Sequence, residues 1–303
     1  MKFLISGSSG LVGAYLLEDL RRRNEDITKL ARPATTKTRA DKNIEWDIQN
    51  KKINFKELEG FDTVIHLAGA NISGHRWTKR YKKEIHDSRV DSTTFLTESL
   101  LQLEQPPRLV ITASAMGYYG SHDPDEDLTE ASRPGEGFLA GVCHDWEAAA
   151  APLKDAGIRV AHLRFGVILG KEGGALAKML PIFKAGLGGP IGSGRQIMSW
   201  ISVKEIPDII RHIVTEKHLS GPVNAVSPHP VSNREFTQTL AAVLRRPAVL
   251  PVPAFALRLA LGEMADELLI NGAKVLPDRL HRSGYTFRYA HLKPALADIL
   301  GLS

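Results

Sequence analysis

Short apolar runs alternate along this chain with longer stretches in which apolar residues return every three or four positions. Residues 2–6, KFLIS, form the first run, and a helical pattern follows through Arg23. Further runs fall at 26–31, 43–46, 62–67, 108–114 and 158–164, the last after a helical pattern around Trp146. Strands separated in this way predict a parallel sheet covered by helices on both faces. Right-handed crossovers then place the strand C-termini along one edge, where ligands of such sheets bind. The glycine-containing segment 7–13, Arg32, Leu67-Ala68, Ser114 and residues 166–168 all fall on that edge.

After residue 170 the texture changes. Residues 186–194, GLGGPIGSG, are too glycine-rich for a regular element and predict a long loop, with Arg195 and Gln196 behind it. From Pro247 onward, proline-punctuated helical segments end in a helical tail over 291–300. The expected fold class is α/β, a Rossmann-type doubly wound parallel sheet with a smaller C-terminal, substrate-side domain. The expected division is 1–170 for the first domain, with segments of about 195–230 returning to it, and 171–303 for the second.

Composition narrows the class. The 303 residues are 43% hydrophobic and 24% charged, close to the globular average. Cys143 is the sole cysteine, which excludes an internal disulfide and a cysteine-based zinc site. No run approaches the roughly 18 apolar residues of a membrane helix, and the first strand begins at once without a leader, so cytoplasm and no membrane partner are expected. The net charge is +5, and residues 75–83, HRWTKRYKK, are the most basic stretch. Glu84, Asp87 and Asp91 follow on what reads as one helix through Leu103, so a solvated helix face accounts for the charge and no nucleic-acid partner is expected.

The glycines carry the candidate chemistry. Gly7-Ser8-Ser9-Gly10-Leu11-Val12-Gly13 joins the first strand to the first helix with the spacing G-x-x-G-x-x-G. Gly7 permits a tight turn, Gly10 a close approach to a pyrophosphate, and Gly13 close packing of helix on strand. The free N–H groups and positive dipole end of that helix would face the phosphates. A dinucleotide site needs this strand–loop–helix context, and the segment supplies it. An NAD site places a carboxylate at the end of the second strand, whereas Arg32 stands there, with Lys37 and Arg39 nearby. A guanidinium pairs with a 2′-phosphate, so NADP is the expected cofactor.

On these residues the chain resembles the extended short-chain dehydrogenases/reductases. More narrowly, it resembles the atypical epimerase-like branch with a C-terminal domain of unknown function. The resemblance spans essentially the whole length. It rests on the glycine loop, DTVIHLAGA (62–70), Trp77 with Ser88-Arg89, SAMGYYG (114–120), Trp146-Glu147-Ala148-Ala149, GLGGPIGSGRQ (186–196), Ser227-Pro228 with Asn233, and Gly284-Tyr285. It implies NADP held by the glycine loop, Arg32, Leu67, Ala68 and Ile168. Arg89 replaces an asparagine typical of extended members and would reach the cofactor, with Glu84 orienting it.

The same resemblance implies a gap in the catalytic machinery. Active members use a Ser or Thr after the fifth strand and Tyr-x-x-x-Lys on the next helix, the tyrosine as acid/base and the lysine lowering its pKa. The aligned positions here hold Ala115, Leu139 and Cys143. Ser114 and Tyr118 lie beside them with hydroxyls, while Tyr119 reads as structural and Cys143 as a buried helix cysteine. Asp123, Asp125, Glu126, Asp127 and Glu130 form an acidic cluster that reads as a solvated loop, with Pro124 and Pro134 around it. The histidines show no metal-binding spacing. Two functions follow: an NADP-dependent oxidoreductase or epimerase-like enzyme acting on an unknown small molecule with other proton-transfer groups, or a cofactor-binding sensor of the NADPH/NADP ratio without chemistry. Either could be an oligomer.

Overall fold

The computed structural model describes residues 1–33 and 42–302; Lys37 and Arg39 lie outside them. Its strands are β1 (Lys2–Ser6), β2 (Asp26–Ala31), β3 (Lys42–Asp47), β4 (Lys52–Ile53), β5 (Thr63–His66), β6 (Leu109–Ala115) and β7 (Asp127–Leu128). They continue with β8 (Arg159–Phe165), β9 (Val167–Leu169), β10 (Ile197–Met198), β11 (Trp200–Ser202), β12 (Gly221–Ala225), β13 (Val231–Ser232) and β14 (Lys274–Val275). The helices are α1 (Leu11–Arg22), α2 (Lys79–Leu100), α3 (Phe138–Ala148), α4 (Ala151–Asp155), α5 (Gly174–Lys184) and α6 (Ile206–Thr215). After them come α7 (Asn233–Leu244), α8 (Ala254–Leu261), α9 (Glu263–Ala265), α10 (Asp278–Arg282) and α11 (Leu292–Leu300).

The main sheet has the order β12-β8-β6-β5-β1-β2-β3-β4, and every pairing is parallel except that of β4 with β3. Strand order reverses beside β1, the switch point at which ligands of such folds bind. The fold is therefore the Rossmann-type α/β sheet expected from the strand pattern. Alternation along the strands divides the core between two faces. Phe3, Ile5, Ile65, Ile111 and Leu163 face α1 and α6 through Leu16, Leu20, Ile206 and Ile210. Leu4, Val64, Val110 and Val160 face the other way, against Phe95, Leu96 and Leu100 of α2.

β12 was not among the expected strands. Its sequence, GPVNA, holds a glycine, a proline and an asparagine, all poor strand formers. It survives because it is the outermost strand of the sheet, where the N–H that Pro222 lacks is not needed for a second neighbour.

The residues after β9 build a third core from Leu176 and Leu180 of α5, Phe236 and Leu240 of α7, and Leu296 and Ile299 of α11, around the fully buried Trp200. A buried carboxylate anchors its C-terminal part. Glu205, fully buried, accepts the Tyr285 hydroxyl at 2.5 Å and the backbone N–H groups of Arg288 and Tyr289 at 3.1 and 2.7 Å.

A buried imidazole ties the central strands to α2. His66, the last residue of β5, bonds to Ser6 Oγ at 2.6 Å and to Ser92 Oγ at 3.1 Å. Burial lowers its pKa from 6.5 to about 4. The unfolded chain therefore takes up a proton as pH falls below 6.5 while the folded chain does not, and stability from this group is lost between pH 6.5 and 4. Between pH 7 and pH 5 the loss should be about 2 kcal/mol, at about 1.4 kcal/mol per unit. Urea unfolding should show an acid loss smaller by this amount in His66→Gln than in the wild type. Equal losses would remove His66 from the balance.

Candidate functional site

The switch-point crevice is shaped by close approach of backbone. Gly7 has φ +68°, and a Cβ there would lie 2.5 Å from the Leu67 carbonyl carbon and 2.8 Å from the Ala68 nitrogen. Gly13 is equally constrained, since its Cβ would meet the Gly7 carbonyl oxygen at 2.4 Å. Neither position accepts a side chain without moving a strand. Gly10 is the N-cap of α1 and brings no capping side chain, so the first N–H groups of the helix open toward the crevice with Ser8 and Ser9 beside them. Leu11 and Val12 are half-buried in the first turn.

Arg32 follows β2 directly and is exposed on the same sheet edge. The Leu67 N–H donates to the Ser6 hydroxyl at 3.2 Å, which fixes the His66-Leu67 peptide beside the glycine loop. Ile168 lies in β9, which pairs with β11, and its carbonyl borders Gly174 at the start of α5. These segments converge on one crevice.

Arg89 reaches the same edge from α2, but not in the way the sequence suggests. Its guanidinium donates to the Ile85 and Ala70 carbonyls, both at 2.9 Å, and lies 5.2 Å from the Trp146 ring centre. Glu84 is exposed and does not orient it. Five residues along a helix turn a side chain by about 140°, onto a different face. Burial lowers the Arg89 pKa, and among the described residues no carboxylate pairs with it.

Beside the crevice, α3 presents Leu139 and Cys143, one turn apart, to Gly117. A Cβ on Gly117 would lie 3.2 Å from Leu139 Cβ and 3.7 Å from Cys143 Sγ. Burial pushes the thiol up to about 12, which leaves it protonated and unreactive at neutral pH. The N-terminus of α3 is held from far along the chain, where Glu267 accepts the Phe138 N–H at 3.0 Å. No local pattern announces that contact between residues so far apart in sequence.

Beneath this wall runs a buried polar network. Arg164 donates from Nε and Nη2 to both oxygens of Glu147 at 2.8 Å, and from Nη1 to the Tyr119 hydroxyl at 3.0 Å. The Ser114 hydroxyl donates to Glu147 at 2.7 Å, and Tyr119 donates to Asn224 Oδ1 at 2.7 Å. The Tyr118 ring centre lies 3.4 Å from Arg164 Cζ. Ser114 thus spends its proton on the network, while Tyr118 is fixed through its ring face. Burial drives the Tyr119 hydroxyl up to about 12, in keeping with its structural reading.

A further sequence reading needs correction. Glu130 is buried rather than solvated, because its carboxylate accepts the Asn224 N–H of the edge strand β12 at 2.9 Å, and burial raises its pKa. Gln196, behind the glycine-rich loop, is held by main-chain oxygens. Its amide donates to the Ile191 and Leu269 carbonyls at 3.1 and 3.0 Å, tying the glycine-rich loop to the C-terminal segment. Arg195 beside it is exposed. Among the described residues no helix is long and apolar enough to cross a membrane, and no cluster of metal-ligating side chains occurs.

A glycine loop at the reversal point of a parallel sheet defines a nucleotide-cofactor fold, and comparison with known proteins supplies the family. The profile of the NAD dependent epimerase/dehydratase family matches residues 3–239, and that of a domain of unknown function, DUF1731, matches residues 252–299. The chain belongs to the NAD dependent epimerase/dehydratase family. It is 36% identical over 301 residues to the epimerase family protein YfhF of Bacillus subtilis, covering 99% of this chain and 98% of YfhF. The crystal structure of human epimerase family protein SDR39U1 with NADPH superposes with a TM-score of 0.90 at 33% identity, covering 99% of each chain. A nucleoside-diphosphate sugar epimerase structure from Corynebacterium glutamicum gives a TM-score of 0.80 at 35% identity, covering 99% of this chain and 58% of that one.

The ion pair under the site should dominate local stability. Arg164→Met leaves the largely enclosed Glu147 carboxylate, 11% exposed, without its cation and should cost about 3 kcal/mol in urea unfolding. Adding Glu147→Leu should recover part of the loss. A single-variant loss under about 1 kcal/mol would show that the pair is solvated.

Proposed function

We propose that the chain binds NADP(H) across the β1–β5 crevice and acts as an oxidoreductase or epimerase-like enzyme on a small molecule. The observation that carries the cofactor is the uncapped N-terminus of α1, seated by Gly7 and Gly13 against Leu67-Ala68 with Arg32 at the end of the neighbouring strand. Pyrophosphate would take the α1 N–H groups, Arg32 the 2′-phosphate, and Leu67, Ala68 and Ile168 the walls. Arg89 keeps N–H donors beyond the two it spends on carbonyls, and a buried cation without a carboxylate favours a ligand oxygen. The NADPH bound by the similar human protein supports the same choice.

The bound cofactor would supply hydride chemistry at its nicotinamide. The protein's part is to position it and to move protons, and here the wall is unusual. Leu139 and Cys143 stand where the family resemblance places the acid/base tyrosine and its lysine, and neither side chain transfers a proton at neutral pH. Tyr118 is the hydroxyl left to do so, since Ser114 is spent on Glu147. The same wall favours a second reading, a sensor of NADPH/NADP that signals without turnover.

Calorimetric titration of NADPH and NADH into the wild type and Arg32→Asp tests the cofactor. The substitution should weaken NADPH at least tenfold more than NADH, a difference of about 1.4 kcal/mol. Equal loss of both would show that Arg32 does not read the phosphate. NADPH oxidation across a panel of sugar nucleotides and small carbonyl compounds tests the chemistry. Turnover abolished by Tyr118→Phe supports the enzyme, and tight binding without turnover supports the sensor.

A further inference from the structure

Three segments meet pairwise around the crevice and enclose it. The glycine loop touches the segment after β5 through Gly7 and the Leu67-Ala68 peptide. It touches the segment after β9 through Leu11, whose side chain would lie 3.1 Å from a Cβ on Gly170 and 3.4 Å from one on Gly174. The ring closes where Lys178 Nζ, on α5, donates to the Ser73 carbonyl at 2.8 Å and to the Ser73 hydroxyl at 2.7 Å.

The three contacts are unequal. The first is backbone packing that leaves no room for a Cβ at Gly7, and the second is close apolar packing of Leu11 against Gly170 and Gly174. Both jaws of the third are firmly held on their own sides. On one, the Trp77 indole donates to the Ile72 carbonyl at 2.7 Å and the Tyr81 hydroxyl bonds to the Asn71 carbonyl, pinning the loop to α2. On the other, the Tyr15 hydroxyl of α1 donates to Glu172 at 2.8 Å. Between the jaws stands a single exposed ammonium on a flexible stem. It is the only one of the three closures that can open without disturbing a strand or a helix.

We propose that the Lys178–Ser73 contact is the gate of the cofactor site, opening to admit or release the dinucleotide and closing in both the empty and the loaded protein. This rests on the NADP(H) reading above and adds to it a kinetic determinant that touches no cofactor atom. A contact that must break in both directions raises both barriers alike, so its loss changes rates and leaves affinity nearly intact.

Stopped-flow fluorescence of NADPH tests this with Lys178→Met, which keeps the apolar stem. Association and release should both accelerate about tenfold, with Kd changing less than about threefold, a barrier change of about 1.4 kcal/mol. Ser73→Ala removes one of the two bonds and should give a smaller acceleration of both. Lys82→Met cuts an ion pair outside the ring, between α2 and Glu263, and should leave both rates unchanged. Unchanged rates in Lys178→Met would overturn the gate. Faster release alone would also overturn it, by making Lys178 a ligand of the cofactor, and equal acceleration in Lys82→Met would reduce it to general loosening. A wild type that binds no NADPH overturns the cofactor reading itself, an outcome distinct from normal binding with unaltered rates.

Discussion

The structure depends on one steric constraint, the absence of a side chain at Gly7 and Gly13. With a φ of +68° and only 2.5 Å between its missing Cβ and the Leu67 carbonyl carbon, Gly7 lets β1 turn into α1 while pressed against the end of β5. Gly13 then lets the helix settle on the same turn. Because the two strands and the helix meet this closely, the positive end of α1 sits at the reversal point of the sheet instead of above it. Burial then reinforces the arrangement, since His66 and Ser6 hold the adjoining strand ends to each other and to α2. Charge at the helix end, room for a phosphate and a rigid floor all follow from the same missing methyl groups.

A second element, the Arg164–Glu147 pair, shapes what the crevice can do. Arg164 donates from two guanidinium nitrogens to both Glu147 oxygens and from the third to Tyr119, Tyr118 lies on its face, and Glu147 absorbs the Ser114 hydroxyl. Such a network rigidifies, because a half-satisfied version in a low-dielectric interior would be costly. Its effect is to remove most hydroxyls from proton transfer and leave an apolar wall of Leu139 and a protonated Cys143. The C-terminal region contributes through single carboxylates. Glu205 gathers the segment around Tyr285 and Tyr289, and Glu267 holds the start of α3. The smaller region thus acts on the crevice by fixing the helix that lines it.

The strand pattern was legible because parallel strands buried on both faces read as apolar runs, and the glycine loop because its spacing is a steric necessity. β12 was not, since an edge strand tolerates Pro222 and Asn224, which argue against a strand elsewhere. Glu130 is illegible for a related reason. Its charge suggests solvent, and only the three-dimensional neighbour, the outward N–H of Asn224, explains its burial. Arg89 is legible as a crevice residue, but its pairing is not, since the sequence points to a carboxylate on another helix face and main-chain oxygens hold the guanidinium. The wall of α3 facing Gly117, the reach of Glu267 to Phe138 and the gate at Lys178 join residues far apart in the chain, and no local pattern encodes such distances.

The most direct test of the central claim is hydrogen–deuterium exchange of the backbone amides from Ser8 to Ala14, with and without NADPH. If the phosphates dock on the free end of α1, these amides should exchange markedly more slowly in the loaded protein, with smaller effects at Leu67 and Ala68. Protection confined to other parts of the chain, or none at all, would contradict the account.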